Sequence, residues 1–545
     1  MKLAKRSAAV LLIAAMLGCS LNMYGCTKLS QIADSITLPE QSNGNLALPE
    51  HWLEYTMTEQ EFTFAIDSVE QLSKLTDKNA SQNKLQKQLE KVDDYDDYIT
   101  HQYQVAQMRH YYDTENVTAY QNYVTAQQYY VEFSQKYYEV WVKLANSDLP
   151  YAEAVLDSVS SQNENISFTV SDEKYYELEI KQDEIIQRYN ALDPDSATWA
   201  DDMDELYYKF VQLSQQIAFT VEYENYYAFA TEELYNRKYT DTEKQKFRAY
   251  VKQYIVPLFV HVAEKWNSIG ATATQAQYKH YYSFTYNQCP PQNIHLKGFI
   301  DSHSESVKQK MKALFDTNAI IYANSQYAAD TAYCHYSDYY CRPYIFLGGR
   351  SNQTINAVTH EMGHYVAHCR ESCPGWAKDM SELHSQGNEW LMMYYLKDKI
   401  DPTTHELFVL SELYTQLYEI ICTTAVDEFE ETVYYAKTPY TADQYKSLLD
   451  EISREYGNAV DLHTYARHVI VSQPVYCFSY ATSGVVAVQL YLIAERDGYA
   501  RATEIYAKLV DDVDPSLDFM RALETVGLDS PFDELSFINF EKAFS

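Results

Sequence analysis

The chain has 545 residues, 46% of them hydrophobic, and a formal net charge of −34 at pH 7. That length and apolar content are enough for a large core, in more than one domain or in one large helical body. The acidic balance argues against nucleic acid as a partner, because phosphate binding needs basic patches, and it suits solubility outside the cell.

At the start of the chain, Lys2, Lys5 and Arg6 precede the apolar run Ala8 to Leu17. The run is too short to span a bilayer and has the shape of a secretory signal peptide. It ends in Met16-Leu17-Gly18-Cys19, which resembles a bacterial lipobox with methionine in place of the usual leucine. Residues 1–26 are therefore expected to be a signal peptide with lipobox, lipidated at Cys19 or at the competing Cys26. Residues 27–50 would form a polar tether that holds the protein on the extracellular face of the membrane. A plain signal peptide releasing a secreted protein is the alternative.

From Leu46 to Ile269 there is no glycine and few prolines, which favours long helices with sparse turns. Gln82 to Tyr112 and Glu115 to Asn146 read as helices with recurring apolar positions. An N-terminal helical region, 51–192, ends before Asp193-Pro194-Asp195, and a second region follows over 193–545. Thr240-Asp241-Thr242-Glu243 is a capping box for a further helix. Strand signal is confined mainly to Tyr333 to Leu347; within it, Tyr344 to Leu347 reads as core strand, or alternatively as an edge able to pair with an extended peptide. Cys334 and Cys341 could bridge a hairpin here, and Cys369 and Cys373 are four residues apart. Nine cysteines with no paired C-x-x-C make a cysteine zinc site the weaker reading.

The chemistry is concentrated in His360-Glu361-Met362-Gly363-His364, an H-E-x-x-H run. A helix beginning at the polar Ser351 and Asn352, with Ile355, Val358, Met362 and Val366 at helical spacing, would carry it. One turn apart on such a helix, the two histidines share a face with Cβ atoms about 5 to 6 Å apart, close enough for one metal ion to touch both rings. Glu361 then lies near enough to take a proton from water without displacing a histidine. A catalytic zinc needs a third protein ligand and an open fourth position. Candidates are His368, Glu382, His384 and Glu389. A straight helix carries His368 past the ion, and the metzincin spacing fails at Ala367 and Arg370. Glu382 is favoured, because a helix over Trp376 to Leu396, folding back after Cys373-Pro374-Gly375, would bring it alongside.

The segment Ser381-Glu382-Leu383-His384-Ser385-Gln386-Gly387-Asn388-Glu389 resembles the E-x-x-S-x-x-x-E signature that follows H-E-x-G-H in oligoendopeptidase F and its thimet oligopeptidase-like relatives. Arg342 to Leu347 and the tyrosine-rich Gln473 to Gly484 extend the likeness, with Glu222 to Tyr227 and Asn236 to Thr240 as a less specific helical lead-in. The resemblance implies a mainly α fold, a large helical bowl with a substrate channel and a small β-sheet beside the zinc helix. It implies one zinc ion per chain held by His360, His364 and Glu382, with Glu389 as a carboxylate that orients a ligand. It implies Glu361 as general base, and Tyr476 and Tyr480 as phenols that stabilise negative charge on the substrate carbonyl oxygen. The family's histidine before the tyrosine segment corresponds most nearly to His468, one residue out of register. The function expected is zinc-dependent hydrolysis of short unfolded peptides. A related helical zinc carboxypeptidase and a non-catalytic peptide-binding lipoprotein are the alternatives.

Overall fold

The computed structural model describes residues 51–77, 80–152, 154–156, 173–190, 192, 196–272, 281, 293–349, 352–370 and 376–545. The expected leader, lipobox and tether, Asp193-Pro194-Asp195, Ser351 and Cys373-Pro374-Gly375 all lie outside those residues. The fold is mainly α with one small sheet. No helix among the described residues is long and apolar enough to cross a membrane. The chain divides into two compact units, Met1–Ser171 with Lys308–Gly375, and Asp172–Val307 with Trp376–Ser545. The sequence-based cut at 192/193 thus falls inside the second unit.

In the first unit, helices Glu59–Asp77, Gln82–Tyr112 and Val117–Ala145 pack pairwise against one another. Leu72, Leu85, Leu89, Val92, Phe133 and Leu144 are fully buried between them. The recurrence of 85, 89 and 92 along one face is the apolar stripe that drives such packing. The third helix starts at Asn116, whose side chain accepts from Ala119 N at 3.0 Å, a cap that answers one of the orphan amides of the first turn.

The sheet has order β1-β3-β2, from β1 (Ile320–Tyr322), β2 (Ala332–Ser337) and β3 (Arg342–Leu347). β1 runs parallel to β3 and β2 antiparallel to it. β3 is therefore central, paired on both sides through Ile345 to Leu347, and the edge alternative for this run is excluded. The three-residue β1 was not expected; it is too short to carry a period. His101 on the second helix ties the hairpin in place: its Nδ1 meets Ser337 Oγ and its Nε2 meets Trp52 O, each at 2.9 Å. Burial pulls the His101 pKa down to about 4, so the ring is neutral and both contacts suit it. Cys334 is a thiol while Cys341 is disulfide-bonded, so the Cys334–Cys341 bridge does not form; Cys369 is likewise a thiol.

In the second unit, helices Lys378–Leu396 and Phe478–Asp497 make the most extensive pairing, and Pro402–Tyr434 and Tyr499–Asp511 pack on the latter. Two glycines permit the close approach. A Cβ on Gly387 would lie 2.9 Å from Leu490 Cδ1, and one on Gly484 would lie 3.1 Å from Ile420 Cγ1. The capping box expected at Thr240 is present, with Glu243 N donating to Thr240 Oγ1 and Glu243 Oε2 accepting from Thr240 N.

Candidate metal centre

The H-E-x-x-H run lies on the helix Ile355–His368, which packs on β2 and β3. The small sheet beside this helix is as expected. Ile355, Val358, Met362 and Val366 are fully buried and set the helix rotation. The cap differs from expectation. Thr354, not Asn352, is the N-cap, and its Oγ1 accepts from Ala357 N at 3.1 Å. Asn352 instead donates through Nδ2 to Asp330 Oδ1 at 2.6 Å and Gly348 O at 2.9 Å, fastening the loop that leads in. His360 and His364 are half-buried one turn apart, with ring centroids 5.0 Å apart and planes at 78°. Glu361 is buried.

Glu382 lies one turn into the helix Lys378–Leu396 and is 3% exposed. Its carboxylate is oriented from two sides. Tyr476 Oη donates to Oε1 at 2.6 Å, and Ser385 Oγ, which donates to Glu382 O at 2.9 Å, also reaches Oε2 at 3.4 Å. His360, His364 and Glu382 each offer one ligand atom, and these atoms lie within 4.8 Å of one another. Two imidazoles and one carboxylate at that spacing can hold a metal ion, and such a donor set is the one found in open, catalytic zinc sites.

The other singled-out residues are placed as follows. His384 is fully buried and structural: Nε2 meets Leu509 O at 3.2 Å and the ring packs edge-on to Trp376 at 4.7 Å. His368 packs near Tyr336 at 6.4 Å, and neither histidine is in the group that could hold a metal ion. Glu389 accepts from Gln416 Nε2 at 2.6 Å. Burial, together with the nearby Glu389 charge, pushes the Glu412 carboxyl well above the usual carboxylate range. Tyr480 is half-buried with its ring 5.5 Å from that of Tyr476. His468 is exposed at the end of the helix Leu462–Val469, beside Trp199 at 6.0 Å.

Sequence reasoning gave Tyr476 a role toward substrate and did not foresee its bond to Glu382. It also passed over Arg237 and Asp379. Asp379 precedes Glu382 by three residues, so an acidic residue one turn before Glu382 was visible as a spacing. Nothing local marks its partner, Arg237, which lies 142 residues away in sequence.

Neither a protein-family model nor a curated protein matches this sequence. Solved structures do match the fold. PZ peptidase A with an inhibitor superposes at a TM-score of 0.65 with 18% identity, covering 90% of this chain and 99% of that one. A protein from Bacillus anthracis strain Ames assigned as oligoendopeptidase F gives 0.60 and 17%, covering 92% and 97%. Oligoendopeptidase F from Enterococcus faecium gives 0.50 and 14%, covering 90% and 97%. The class defined is a mainly α peptidase fold. Within that class, this chain has the architecture of oligoendopeptidase F, along nearly its whole length.

Proposed function

We propose that this chain is a zinc-dependent endopeptidase that hydrolyses short unfolded peptides. The observation that carries the reading is the convergence of His360, His364 and Glu382 within 4.8 Å, with Glu361 between the two histidines. Peptidases among the structures of like fold support it.

A zinc ion held by those three residues would supply a Lewis acid that makes water acidic enough to deprotonate near neutral pH. Glu361 takes the proton from the attacking water as its oxygen adds to the peptide carbonyl carbon. Glu361 then delivers that proton to the leaving nitrogen as the C–N bond breaks, giving one carboxylate and one amine. Tyr476 holds the Glu382 carboxylate through the hydrogen bond to Oε1, which is the work of a residue that orients a ligand. Tyr480, next to Tyr476, is the phenol we assign to the substrate carbonyl oxygen. His468, exposed beside Trp199, has no step in this scheme.

The N-terminal reading is part of the proposal: export through residues 1–26 and attachment through lipidated Cys19 or Cys26 would place the enzyme outside the cell, on the membrane. The test is mass spectrometry of a mixed-length peptide library incubated with zinc-loaded protein, with and without a chelator. Internal cuts that the chelator stops are expected. Removal of C-terminal residues alone would identify a carboxypeptidase, and intact peptides would leave a binding protein; either outcome overturns the endopeptidase reading.

A further inference from the structure

Tyr476 can hold Glu382 only if its own backbone is fixed, and that backbone is in a costly conformation. Val475 has φ +62°, in the left-handed region that a β-branched residue rarely enters. Such a conformation persists only where the surroundings over-determine it. Here they do. Three successive carbonyls are each captured by a side chain from one short stretch: Tyr235 Oη donates to Pro474 O at 2.7 Å, Arg237 Nη1 to Val475 O at 2.6 Å, and Arg237 Nη2 to Tyr476 O at 2.6 Å. The amide of Val475 donates to Glu430 Oε1 at 2.9 Å. The strained peptide is thus gripped on both its donor and acceptor sides.

The stretch that supplies these groups is shaped for the task. A π-helical turn, Ala230–Leu234, ends the preceding helix, and Asn236 follows at φ +50°. Arg237 N then donates back to Thr231 O at 2.8 Å. The excursion puts Tyr235 and Arg237 against the same loop, with the guanidinium 4.9 Å from the Tyr235 ring centre and the Tyr235 ring 5.5 Å from that of Tyr476.

Arg237 also reaches the helix that bears Glu382. Its Nε lies 3.4 Å from Asp379 Oδ2, and both side chains are buried, at 1% and 0% exposure. Asp379 and Glu382 are three residues apart and so lie on one face of that helix. Nη2 donates further to Ser479 Oγ at 2.7 Å, and Thr482 Oγ1 donates to the other oxygen of Asp379. One planar, permanently charged fork therefore joins the tyrosine loop, the start of the helix Phe478–Asp497 and the helix of the ligand carboxylate. A lysine point charge cannot reproduce that geometry.

We infer that Arg237 is a positioning residue, which locks the Pro474–Tyr476 loop against the Glu382 helix so that the Tyr476 hydroxyl stays on the Glu382 carboxylate. The inference rests on the metal-dependent reading above. It predicts that Arg237 acts through Tyr476, which distinguishes positioning from general support of the fold.

The experiment is a double-mutant cycle of Arg237→Lys and Tyr476→Phe in the full chain, read by zinc affinity in chelator competition and by urea unfolding of the metal-free protein. Arg237→Lys alone should weaken zinc binding about 10- to 100-fold in protein that still unfolds cooperatively. In the Tyr476→Phe background the same change should cost less than about twofold, because the bond it protects is already gone. An equal loss in both backgrounds overturns the inference, as does wild-type zinc affinity in folded Arg237→Lys protein. If Arg237→Lys does not fold, Ser479→Ala removes one acceptor of the fork, and a few-fold loss of affinity that vanishes in the Tyr476→Phe background is expected. If the wild-type chain takes up no zinc, the functional reading fails, and the metal-free unfolding cycle still decides: coupled losses uphold the positioning role and additive losses end it.

Discussion

Tyr476→Phe removes one oxygen and leaves the packing in place, because the ring contacts to Tyr235 and Tyr480, both at 5.5 Å, do not involve the hydroxyl. What it deletes is a 2.6 Å donor to a buried carboxylate. Hydrogen bonds to charged groups are worth roughly 1.5 to 3 kcal/mol net. If that energy holds Glu382 in the orientation that binds metal, its loss weakens zinc affinity by about 10- to 150-fold, at 1.4 kcal/mol per factor of ten. Competition against a chromophoric chelator measures this directly. The alternative role for Tyr476, donation to the substrate carbonyl oxygen, predicts a different pattern: zinc affinity unchanged and kcat lower by about 10²- to 10³-fold. Zinc affinity within twofold of wild type would therefore refute the orienting role assigned from the hydrogen bond.

Other substitutions test the scaffold. Asp96 is buried, and desolvation raises its pKa to about 7, against about 3.9 in an unfolded chain. Between those values the folded state holds a proton that the unfolded state has released, so this group's contribution to stability is lost as pH rises from 4 to 7. Asp96→Asn should remove that loss and stabilise the protein relative to wild type by up to roughly 4 kcal/mol at pH 8, at about 1.36 kcal/mol per pKa unit; urea unfolding at pH 4 and pH 8 checks it, and a constant difference would contradict it. Thr354→Ala should cost about 1 kcal/mol by deleting the cap of the H-E-x-x-H helix, whereas unchanged stability would mean that Thr354 does not cap it. Gly387→Val should destabilise by about 1 to 3 kcal/mol, since its first carbon alone would sit 2.9 Å from Leu490 Cδ1; a neutral thermal shift would show that this helix pair yields readily.

The parts legible in the sequence were those set by local pattern. The helix Gln82–Tyr112 was readable to the residue because its apolar spacing and flanking polar residues are continuous, and the capping box at Thr240 is a four-residue motif. The helix Ile355–His368 was readable because its apolar residues recur at helical spacing, and the helix Lys378–Leu396 because a loop break precedes a helix-compatible run. What escaped depends on partners far apart in sequence. Tyr476 and Glu382 are 94 residues apart, and in a chain with 53 tyrosines no single phenol announces what it will touch. Arg237 is as silent, although it meets three elements at once. Asn352 looked like a cap because polar residues before an apolar run usually are, yet it is drawn off by Asp330 and Gly348, leaving Thr354 to start the helix. Cysteine pairing failed for a similar reason: proximity in sequence suggested Cys334 with Cys341, and only Cys341 is bonded.

Glu361→Gln isolates the proposed chemistry from the proposed metal site. The amide keeps the shape of the side chain and cannot accept the proton, while His360, His364 and Glu382 are untouched. Zinc content by elemental analysis and peptide cleavage by mass spectrometry, on the same preparation, should show one zinc per chain and no cleavage. Cleavage retained by the zinc-loaded Glu361→Gln protein would contradict the role of Glu361 and with it the proposed mechanism.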